Sequence, residues 1–319
     1  MQDLENYFNT LFEGKEPDTL YAPIAYTMQQ SGKRLRPQMV YHVVKMFGGD
    51  VSQAKYVAAA FEMLHNFTLI HDDIMDKAPI RRGLPTVYQK WNTNCAILSG
   101  DALAIMAFQQ LLKLNMPERV ILDIANVFAT CTLEICEGQQ YDMDFETQEE
   151  VTIEEYIRMI YLKTAVMFAG CLKSGAILSG ADEESREALY QVGINLGIAF
   201  QLADDLLDVY ADTEVFGKSV GGDIRDNKKT YLYLKAMQDA TPEEKKALRQ
   251  CYESSEMPFD ERFQKVKDFY ERLQTADKTR HAIHLYLEKS LDELDKVRVP
   301  SEKKAILREV ISNLEQRSK

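Results

Sequence analysis

Apolar residues recur at helical spacing along almost the whole chain of 319 residues. The spacing is clearest in residues 56–70 (YVAAAFEMLHNFTLI), 102–114 (ALAIMAFQQLLKL) and 188–210 (ALYQVGINLGIAFQLADDLLDVY). Strand signals, which are apolar and polar residues in strict alternation between turn-forming residues, are nearly absent. The pattern therefore predicts an all-α protein.

Two of the predicted helices are apolar on nearly every face, so we expect them in the interior of a helical bundle. The first begins after Gly48-Gly49-Asp50 and ends before Pro79, which gives a helix of about 26 residues. The second runs from about Glu187 to Val209. Gly193 and Gly197 lie four apart inside it. Because glycine weakens a helix, these two predict the close approach of a neighbouring helix.

The chain shows no interdomain linker and no repeat at a fixed period, and 45% of its residues are hydrophobic. A composition of this kind can form one sizeable core. From about Thr241 onward the predicted helices become charged and amphipathic, as expected of an outer layer. We predict a single domain over residues 1–319, a helical bundle around a central apolar cavity.

Charge and cysteine usage exclude several classes of protein. The formal net charge of -12 argues against a nucleic-acid partner, so an anionic substrate would need a local basic cluster. The N-terminal residues show no secretory signal, and no apolar run approaches about 18 uninterrupted residues, so no transmembrane segment is expected. Five cysteines without metal-type spacing suit free thiols in a reducing cytoplasm.

Two segments carry the same pattern of two adjacent aspartates, two apolar residues and a third aspartate. We call them the first and second aspartate motifs; they contain Asp72, Asp73 and Asp76 (LIHDDIMDKAPIRRG) and Asp204, Asp205 and Asp208 (QLADDLLDVYAD). On a helix, residues three and four apart share a side, so the three carboxylates of each motif should converge. Both motifs fall in the last turns of their helices, where the helix dipole disfavours negative charge.

A hard divalent cation would relieve the repulsion within each motif. Magnesium bound through one or two carboxylates, with water and substrate phosphate completing its octahedron, fits these oxygen ligands best. The alternative is that each motif is a solvated helix end, but two copies of one pattern are hard to attribute to chance.

Basic residues cluster in three places whose side chains suit phosphate oxygens. Taken alone, each cluster could also be an ordinary solvated face or a flexible loop; the glycine-rich loop could instead be a lid that closes over phosphates. Acidic walls, cations and an apolar interior together indicate a substrate that is part diphosphate and part hydrocarbon. The basic residues are Lys33, Arg34 and Arg36; Arg81 and Arg82; and Lys218, Lys228 and Lys229 in the glycine-rich loop.

With these motifs in order, the sequence resembles the trans-type polyprenyl diphosphate synthases. The matching segments are GKRLRP, LIHDDIMDKAPIRRG, SGDALA, EGQQYDMDF, LKTA, AFQLADDLLD and GKSVGGDI followed by NKKT. The resemblance implies an all-helical isoprenoid-synthase-type fold and a homodimer. It also implies Mg²⁺-dependent head-to-tail condensation of isopentenyl diphosphate with an allylic diphosphate: dimethylallyl, geranyl or farnesyl diphosphate.

The resemblance also implies a role for each matching residue. His65 could instead be a satisfied core histidine, although its position seven before Asp72 is that of the family. In the implied assignment, Asp72, Asp76, Asp204 and Asp208 serve the magnesium ions; Arg81, Lys163 and Lys218 pair with the allylic diphosphate; Lys33, Arg36, His65 and Arg82 bind isopentenyl diphosphate; Lys228 binds substrate from the lid; and the oxygens of Thr164 and Gln201 face the developing carbocation.

Three other classes were weighed against this interpretation. A terpene cyclase shares the fold but would normally replace the second aspartate motif with an Asn/Ser/Glu pattern. An HD-type phosphohydrolase would use His71-Asp72 with further histidines, but the chain has only five histidines and the second motif would be unexplained. A non-catalytic partner subunit would usually have lost one metal motif, whereas both are present here.

The residues before Asp72 serve as a ruler for product length. Leu64, Phe67 and Thr68 lie eight, five and four positions earlier, on the side of the helix that carries Asp72. Phe67 is therefore about 7.5 Å down the helix axis. A single aromatic there, with a small residue at position 68, resembles the geranylgeranyl type. We therefore expect a twenty-carbon product, with farnesyl diphosphate as the alternative.

Replacing the aromatic floor tests this ruler. Phe67→Ala should lengthen the product relative to the unmodified chain, because the hydrocarbon could grow past the position that the ring fills. Chain-length analysis of the products checks it, and an unchanged distribution would show that the floor lies elsewhere.

Overall fold

The computed structural model describes residues 2–30, 32–211, 220–254 and 256–317, and these are almost wholly helical. The all-α prediction is confirmed. In the described ranges, the strands are β1 (Ile80–Arg81) and β2 (Leu84–Pro85), which pair antiparallel as a short hairpin. The helices are α1 (Gln2–Leu11), α2 (Asp18–Gln29), α3 (Leu35–Phe47), α4 (Val51–Met75), α5 (Val87–Lys90), α6 (Thr93–Leu111), α7 (Glu118–Thr147), α8 (Ile153–Ile160), a π-helix (Tyr161–Ala165), α9 (Val166–Leu178), α10 (Glu183–Tyr210), α11 (Gly222–Arg225), α12 (Tyr231–Asp239), α13 (Pro242–Tyr252), α14 (Phe259–Arg272), α15 (Thr275–Lys296), a 3₁₀ turn (Ser301–Lys304) and α16 (Ala305–Arg317).

The chain divides into two compact units. Unit 1 consists of Met1–Thr132, Gly170–Tyr190 and Val297–Lys304. Unit 2 consists of Leu133–Ala169, Gln191–Lys296 and Ala305–Lys319. The single domain over residues 1–319 stays a prediction.

Helix α4 is the central helix of unit 1 and has 25 residues, close to the predicted length. It begins where the Asp50 side chain accepts a hydrogen bond from the Ser52 backbone N–H at 2.8 Å, an N-cap that satisfies one of the unpaired donors of the first turn. It contacts both α3 and α6. Phe61 of α4 packs edge-on against Phe128 with ring centroids 5.4 Å apart, so the helix is buried on several faces as the sequence predicted.

In unit 2, α10 passes very close to the segment that precedes and begins α9. A Cβ atom on Gly193 would lie 2.3 Å from the Ala169 Cα, and one on Gly197 would lie 2.5 Å from the Ala165 Cα. No side chain fits at such distances, so the close approach predicted from the two glycines is confirmed. The helix begins earlier than predicted, because Asp182 caps its first turn.

The later helices of unit 2 each bury one face, as their amphipathic pattern predicted. Helix α13 starts with a capping box in which Thr241 and Glu244 bond to each other's backbone N–H groups. Its residues Leu248 and Tyr252 are buried, as are Val266 and Tyr270 of α14.

One segment among the described residues, Ile153–Leu178, is long and apolar enough to cross a membrane when judged by length and composition alone. Its most apolar window is 83% buried inside the protein, as is common for a core helix. The count of uninterrupted apolar residues missed the segment because Lys163 and Lys173 interrupt it.

Candidate active site

The first aspartate motif closes α4, but its three carboxylates do different things. Asp72 is half-buried and Asp76, the C-cap residue, is exposed. Asp73 is only 4% exposed and accepts a hydrogen bond from the Arg81 Nε at 2.6 Å. Burial raises the pKa of Asp73, and Arg81 opposes that rise. Asp73 thus anchors the hairpin, and the charge of nearby Asp76 also raises its pKa; the convergence of all three side chains stays a prediction.

The second aspartate motif in α10 repeats this division of labour. Asp205 is 3% exposed; its Oδ1 accepts from the Gln201 Nε2 at 3.0 Å, and its Oδ2 accepts from the Tyr156 hydroxyl. Burial raises the pKa of Asp205 to about 7, while the bonds from Tyr156 and Gln201 lower it. Asp204 and Asp208 are half-buried. In both motifs the middle aspartate is held by protein donors, and the first and third lie nearer to solvent.

The donor set fits a divalent cation that brings its own further ligands. Among the residues that the structure describes, no group of three or more His, Cys, Asp or Glu side chains is arranged to hold a metal ion. The pKa of Asp223 is raised well above its usual range by burial and by the charges of Asp208, Asp205 and Asp142. A crowd of carboxylates of this kind is relieved by a hard cation with oxygen ligands, the preference of Mg²⁺.

Asp208 has a second task at the end of the motif. Its carboxylate accepts hydrogen bonds from the backbone N–H groups of Gly222 at 3.2 Å and Asp223 at 3.0 Å, at the start of α11. Gly221 has φ +82°, and a Cβ on it would lie 2.6 Å from Phe263, so only glycine fits. Residues 212–219, which include Lys218 of the predicted lid, lie outside the described residues.

Arg36 and His65 of the predicted isopentenyl diphosphate group lie together in unit 1. The Arg36 Nη1 is 3.2 Å from the His65 Nε2. Because a guanidinium can only donate, the His65 Nε2 is the acceptor. Burial is the main cause that holds the pKa of His65 well below its usual value, and the positive charges of Arg36 and other arginines add to it. The imidazole is therefore neutral. Lys33 is exposed nearby in sequence.

Arg34, the middle member of the KRLR cluster, points into the core and takes no part in a solvent-facing basic patch. Its Nη1 donates to Glu62 at 2.5 Å, and its Nε donates to Glu5 at 3.0 Å. Its Nη2 also donates to the Met28 carbonyl at 2.6 Å. Burial alone would lower the pKa of Arg34, but the charges and hydrogen bonds of Glu62 and Glu5 outweigh burial, and the pKa is raised. The guanidinium is therefore charged and serves as a structural anchor.

Arg82 carries an unsatisfied cationic group. Its Nη1 is buried and has no hydrogen-bond partner in the described ranges. Its guanidinium lies against the backbone of Gly32, where a Cβ would be 3.3 Å from the Nη1. Burial lowers the pKa of Arg82, the charges of Arg34 and Arg81 lower it further, and those of Glu62 and Asp73 oppose the effect. A buried donor without an acceptor is costly, and an anion would satisfy it.

Lys163 and Thr164 lie on the π-helix Tyr161–Ala165, which the sequence analysis missed. Short π-helices are frequent at functional sites. Gly138 of α7 allows this segment to approach, since a Cβ there would lie 2.3 Å from the Lys163 backbone N. The Thr164 hydroxyl donates to the Gln201 Oε1 at 3.0 Å, so these two predicted residues are in direct contact.

Asp142 joins two of the predicted basic residues and was not singled out from the sequence. Its Oδ2 accepts from the Lys163 Nζ at 2.7 Å and from the Lys228 Nζ at 3.3 Å. Lys228 also pairs with Glu146 at 2.9 Å. Burial raises the pKa of Asp142, but the two lysines outweigh it and the pKa is lowered. The EGQQYDMDF segment contained the signal, an aspartate in a matched motif.

The residues of the product-length ruler differ in exposure. Leu64 is buried in unit 1, whereas Phe67 and Thr68 are half-buried. The Thr68 hydroxyl donates to the His65 carbonyl at 2.8 Å, and the Phe67 ring meets the His71 ring edge-on at 4.8 Å. His71 therefore packs on an aromatic ring, and its Nε2 lies 3.2 Å from the Ile97 carbonyl. This arrangement does not resemble the histidine cluster of an HD-type phosphohydrolase.

Comparisons with known proteins agree with the motifs. The family model described as polyprenyl synthetase matches residues 17–273. The chain is 40% identical over 292 residues to the geranylgeranyl diphosphate synthase of Methanosarcina mazei, over 91% of this chain and 88% of that one. It is 40% identical over 239 residues to the geranylfarnesyl diphosphate synthase of Natronomonas pharaonis, over 70% of each. A solved geranylgeranyl pyrophosphate synthase matches with a TM-score of 0.94 and 41% identity, over 99% of this chain and 97% of that one.

Removing the charge of Asp142 should destabilise the protein. Asp142→Asn should lower the free energy of unfolding by about 2 kcal/mol near neutral pH, because Lys163 and Lys228 lose their shared counter-charge. A depressed carboxyl pKa stabilises the fold above the unfolded pKa. The difference in free energy of unfolding between Asp142→Asn and the unmodified chain should therefore be largest above about pH 5. It should decrease as the pH falls below about 3.9, the unfolded pKa, toward the lower folded pKa.

Denaturant unfolding at several pH values measures this difference. Glu261→Gln is the control, because Glu261 pairs with Lys265 at 2.8 Å on the surface of the same unit, where a single ion pair contributes little. Equal stabilities of Asp142→Asn and Glu261→Gln at neutral pH would contradict the account of Asp142.

Proposed function

Since the chain belongs to the polyprenyl synthetase family and is a prenyltransferase, we propose that it condenses isopentenyl diphosphate head-to-tail with allylic diphosphates to give geranylgeranyl diphosphate. The observation that carries this proposal is the repeated division of labour in the two aspartate motifs. In each motif the middle aspartate is buried, and the first and third, four residues apart, are more exposed. Dimethylallyl, geranyl and farnesyl diphosphate are the proposed primers.

The family uses divalent metal ions, and we propose Mg²⁺ as the ion here. Asp72, Asp76 and Asp204 would hold it, with Asp208 in support. Water and diphosphate oxygens would complete the coordination of each ion, as is usual for Mg²⁺.

The basic side chains stabilise the negative charge that develops on the departing pyrophosphate. Bound metal would add further stabilisation of that charge. Arg81, Lys163 and Lys218 are the residues proposed to pair with the allylic diphosphate, so that its carbon–oxygen bond can ionise. Arg81 is oriented for this role through its Nε, which Asp73 fixes, and Lys163 is oriented by Asp142.

The second substrate is proposed to bind through Lys33, Arg36, His65 and Arg82. The neutral His65 accepts from Arg36, which supports a fixed guanidinium, and the buried donor of Arg82 supports an anion as its partner. Lys228 is proposed to bind substrate phosphate as well. Isopentenyl diphosphate held in this way adds its double bond to the allylic cation, and positioning supplies much of the rate. The addition leaves a new cation on the former isopentenyl portion. This cation loses a proton, which the departing pyrophosphate accepts.

Product length is the finest part of the proposal. Relatives at 40% identity carry the names of both a twenty-carbon and a longer product, so overall identity does not decide it. A single aromatic at Phe67 with the small Thr68 supports geranylgeranyl diphosphate, and farnesyl diphosphate is the second candidate. Leu64 is proposed to line the same hydrocarbon path.

We also propose a homodimer. Leu98, Ile105 and Leu112 lie seven residues apart along α6 and its C-cap, and each is between 61% and 65% exposed. Residues at this spacing share one side of a helix, and an apolar stripe of this kind suits a second copy of the chain. A cytoplasmic location is also proposed, because five cysteines without metal-type spacing suit a reducing compartment.

Incubation with Mg²⁺, isopentenyl diphosphate and each allylic primer in turn tests the function, with chain-length analysis of the products. We expect geranylgeranyl diphosphate from all three primers. Asp72→Ala and Asp204→Ala should lower the turnover by at least about a hundredfold, because a metal ligand is lost from each motif.

Asp292→Ala is the matched control, since Asp292 is an exposed aspartate of α15. It should keep normal turnover, and all three variants should keep a melting temperature close to that of the unmodified chain. Condensation with none of the primers would overturn the proposed function. Near-normal rates in Asp72→Ala and Asp204→Ala would remove the metal roles.

A further inference from the structure

Tyr156 is a buried tyrosine that the mechanism above does not use. It is 2% exposed and lies on α8, which starts with a capping box between Thr152 and Glu155. The π-helix that carries Lys163 and Thr164 follows α8 directly. The only polar atom of the Tyr156 side chain is its hydroxyl, and this donates its proton to the Asp205 Oδ2. A buried phenol that is bonded only to strengthen packing would not need a carboxylate from the second aspartate motif.

The bond from Tyr156 fixes one oxygen of Asp205, and Gln201 occupies the other. The Gln201 Nε2 donates to the Asp205 Oδ1 at 3.0 Å. Each oxygen of this carboxylate thus has a side-chain donor, and the Tyr231 backbone N–H also bonds to the carboxylate, which therefore cannot rotate without losing these bonds. Because the amide nitrogen must face Asp205, the amide oxygen must face the opposite way.

On that opposite side, the amide oxygen meets Thr164. The Thr164 hydroxyl donates its single proton to the Gln201 Oε1 at 3.0 Å. The hydroxyl oxygen therefore keeps its lone pairs, and the amide oxygen keeps its second one. The hydrogen bonds converge on Asp205: Tyr156 and Gln201 both donate to its carboxylate, and Thr164 donates to Gln201.

The orientation of this amide matters for a cationic intermediate. In the observed orientation, oxygen lone pairs of Gln201 and Thr164 are available to stabilise positive charge. With the amide turned over, N–H groups would face Thr164, and the positive ends of their dipoles would disfavour a nearby carbocation. Catalytic dipoles are effective when they are fixed before the charge develops.

We propose that Tyr156 is a positioning residue for the condensation, which acts through Asp205 to hold the Gln201 amide with its oxygen toward Thr164. The inference rests on the proposed function, in which the oxygens of Gln201 and Thr164 face the allylic cation. Tyr156 touches neither substrate. Its effect is on the cation-forming step and not on the capture of isopentenyl diphosphate.

Tyr156→Phe removes the hydroxyl and keeps the ring. We expect kcat to fall roughly tenfold, because Asp205 loses the side-chain donor on its Oδ2, and rotation of the carboxylate would then let the Gln201 amide turn with it. The KM for isopentenyl diphosphate should stay within about twofold, since Lys33, Arg36 and Arg82 are unchanged. Tyr233→Phe is the matched control, because Tyr233 is a buried tyrosine of the same unit whose ring packs on Tyr252. This control should keep the kcat of the unmodified chain.

A double-mutant cycle separates positioning from general stability. In a Gln201→Leu background no amide remains to orient, so adding Tyr156→Phe should leave kcat unchanged. A further tenfold fall in that background would overturn the proposal, as would a normal kcat for Tyr156→Phe in the unmodified background. A lower melting temperature together with a normal kcat for the folded fraction would assign Tyr156 a purely structural role. That result would also overturn the proposal.

Neutron diffraction on the unmodified protein gives a test that does not depend on any variant folding. The two amide protons of Gln201 should lie on the Asp205 side, and protons on the Thr164 side would overturn the proposal. Failure of the inference is distinct from failure of the proposed function. An unmodified chain that condenses no primer removes the function, whereas an active chain with an unaffected Tyr156→Phe removes only the role of Tyr156.

Discussion

The central constraint on this structure is the cost of burying a carboxylate, which is tolerated only where donors or cations meet it. Asp73 and Asp205, the middle residues of the two aspartate motifs, are buried deepest and each has protein partners. Arg81 satisfies Asp73, and Tyr156 and Gln201 satisfy Asp205. The remaining carboxylates of each motif are more exposed, at the end of their helix.

The same constraint positions the cations of unit 2. Asp142 is almost enclosed and needs positive charge, and Lys163 and Lys228 both supply it. Because both lysines pair with the same Asp142 oxygen, their ammonium groups lie close together despite their mutual repulsion. A diphosphate that arrives with metal would find lysines already oriented, so less ordering is required when it binds. The Arg34 guanidinium, by contrast, is not available to a substrate, because it donates to Glu62 and Glu5 within the core.

Sequence reasoning was right about features that depend on local pattern. The position of α4 followed from Asp50 and the apolar spacing, and the approach of helices at Gly193 and Gly197 followed from the cost of glycine in a helix. It did not identify features that depend on tertiary contacts. The pattern of three aspartates on one side cannot show that Arg81 draws Asp73 inward, because the hairpin that places Arg81 forms only in the fold. The π-helix at Tyr161–Ala165 was missed for a similar reason. The π-helix lies against Gly138 of α7, a contact that the local sequence does not reveal. Its own residues carry no signal for the i to i+5 hydrogen bonds of a π-helix.

The central claim proposed here is that the aspartate motifs bind metal only together with a diphosphate, since Asp73, Asp205 and Asp208 already accept hydrogen bonds from protein donors. Calorimetry with an allylic thiolodiphosphate, which resists ionisation, measures this coupling directly. Mg²⁺ should bind weakly to the protein alone and at least about tenfold more tightly when the thiolodiphosphate is present, and by linkage the thiolodiphosphate should gain the same factor from Mg²⁺. Equal affinity for the thiolodiphosphate with Mg²⁺ and with a chelator would contradict the account.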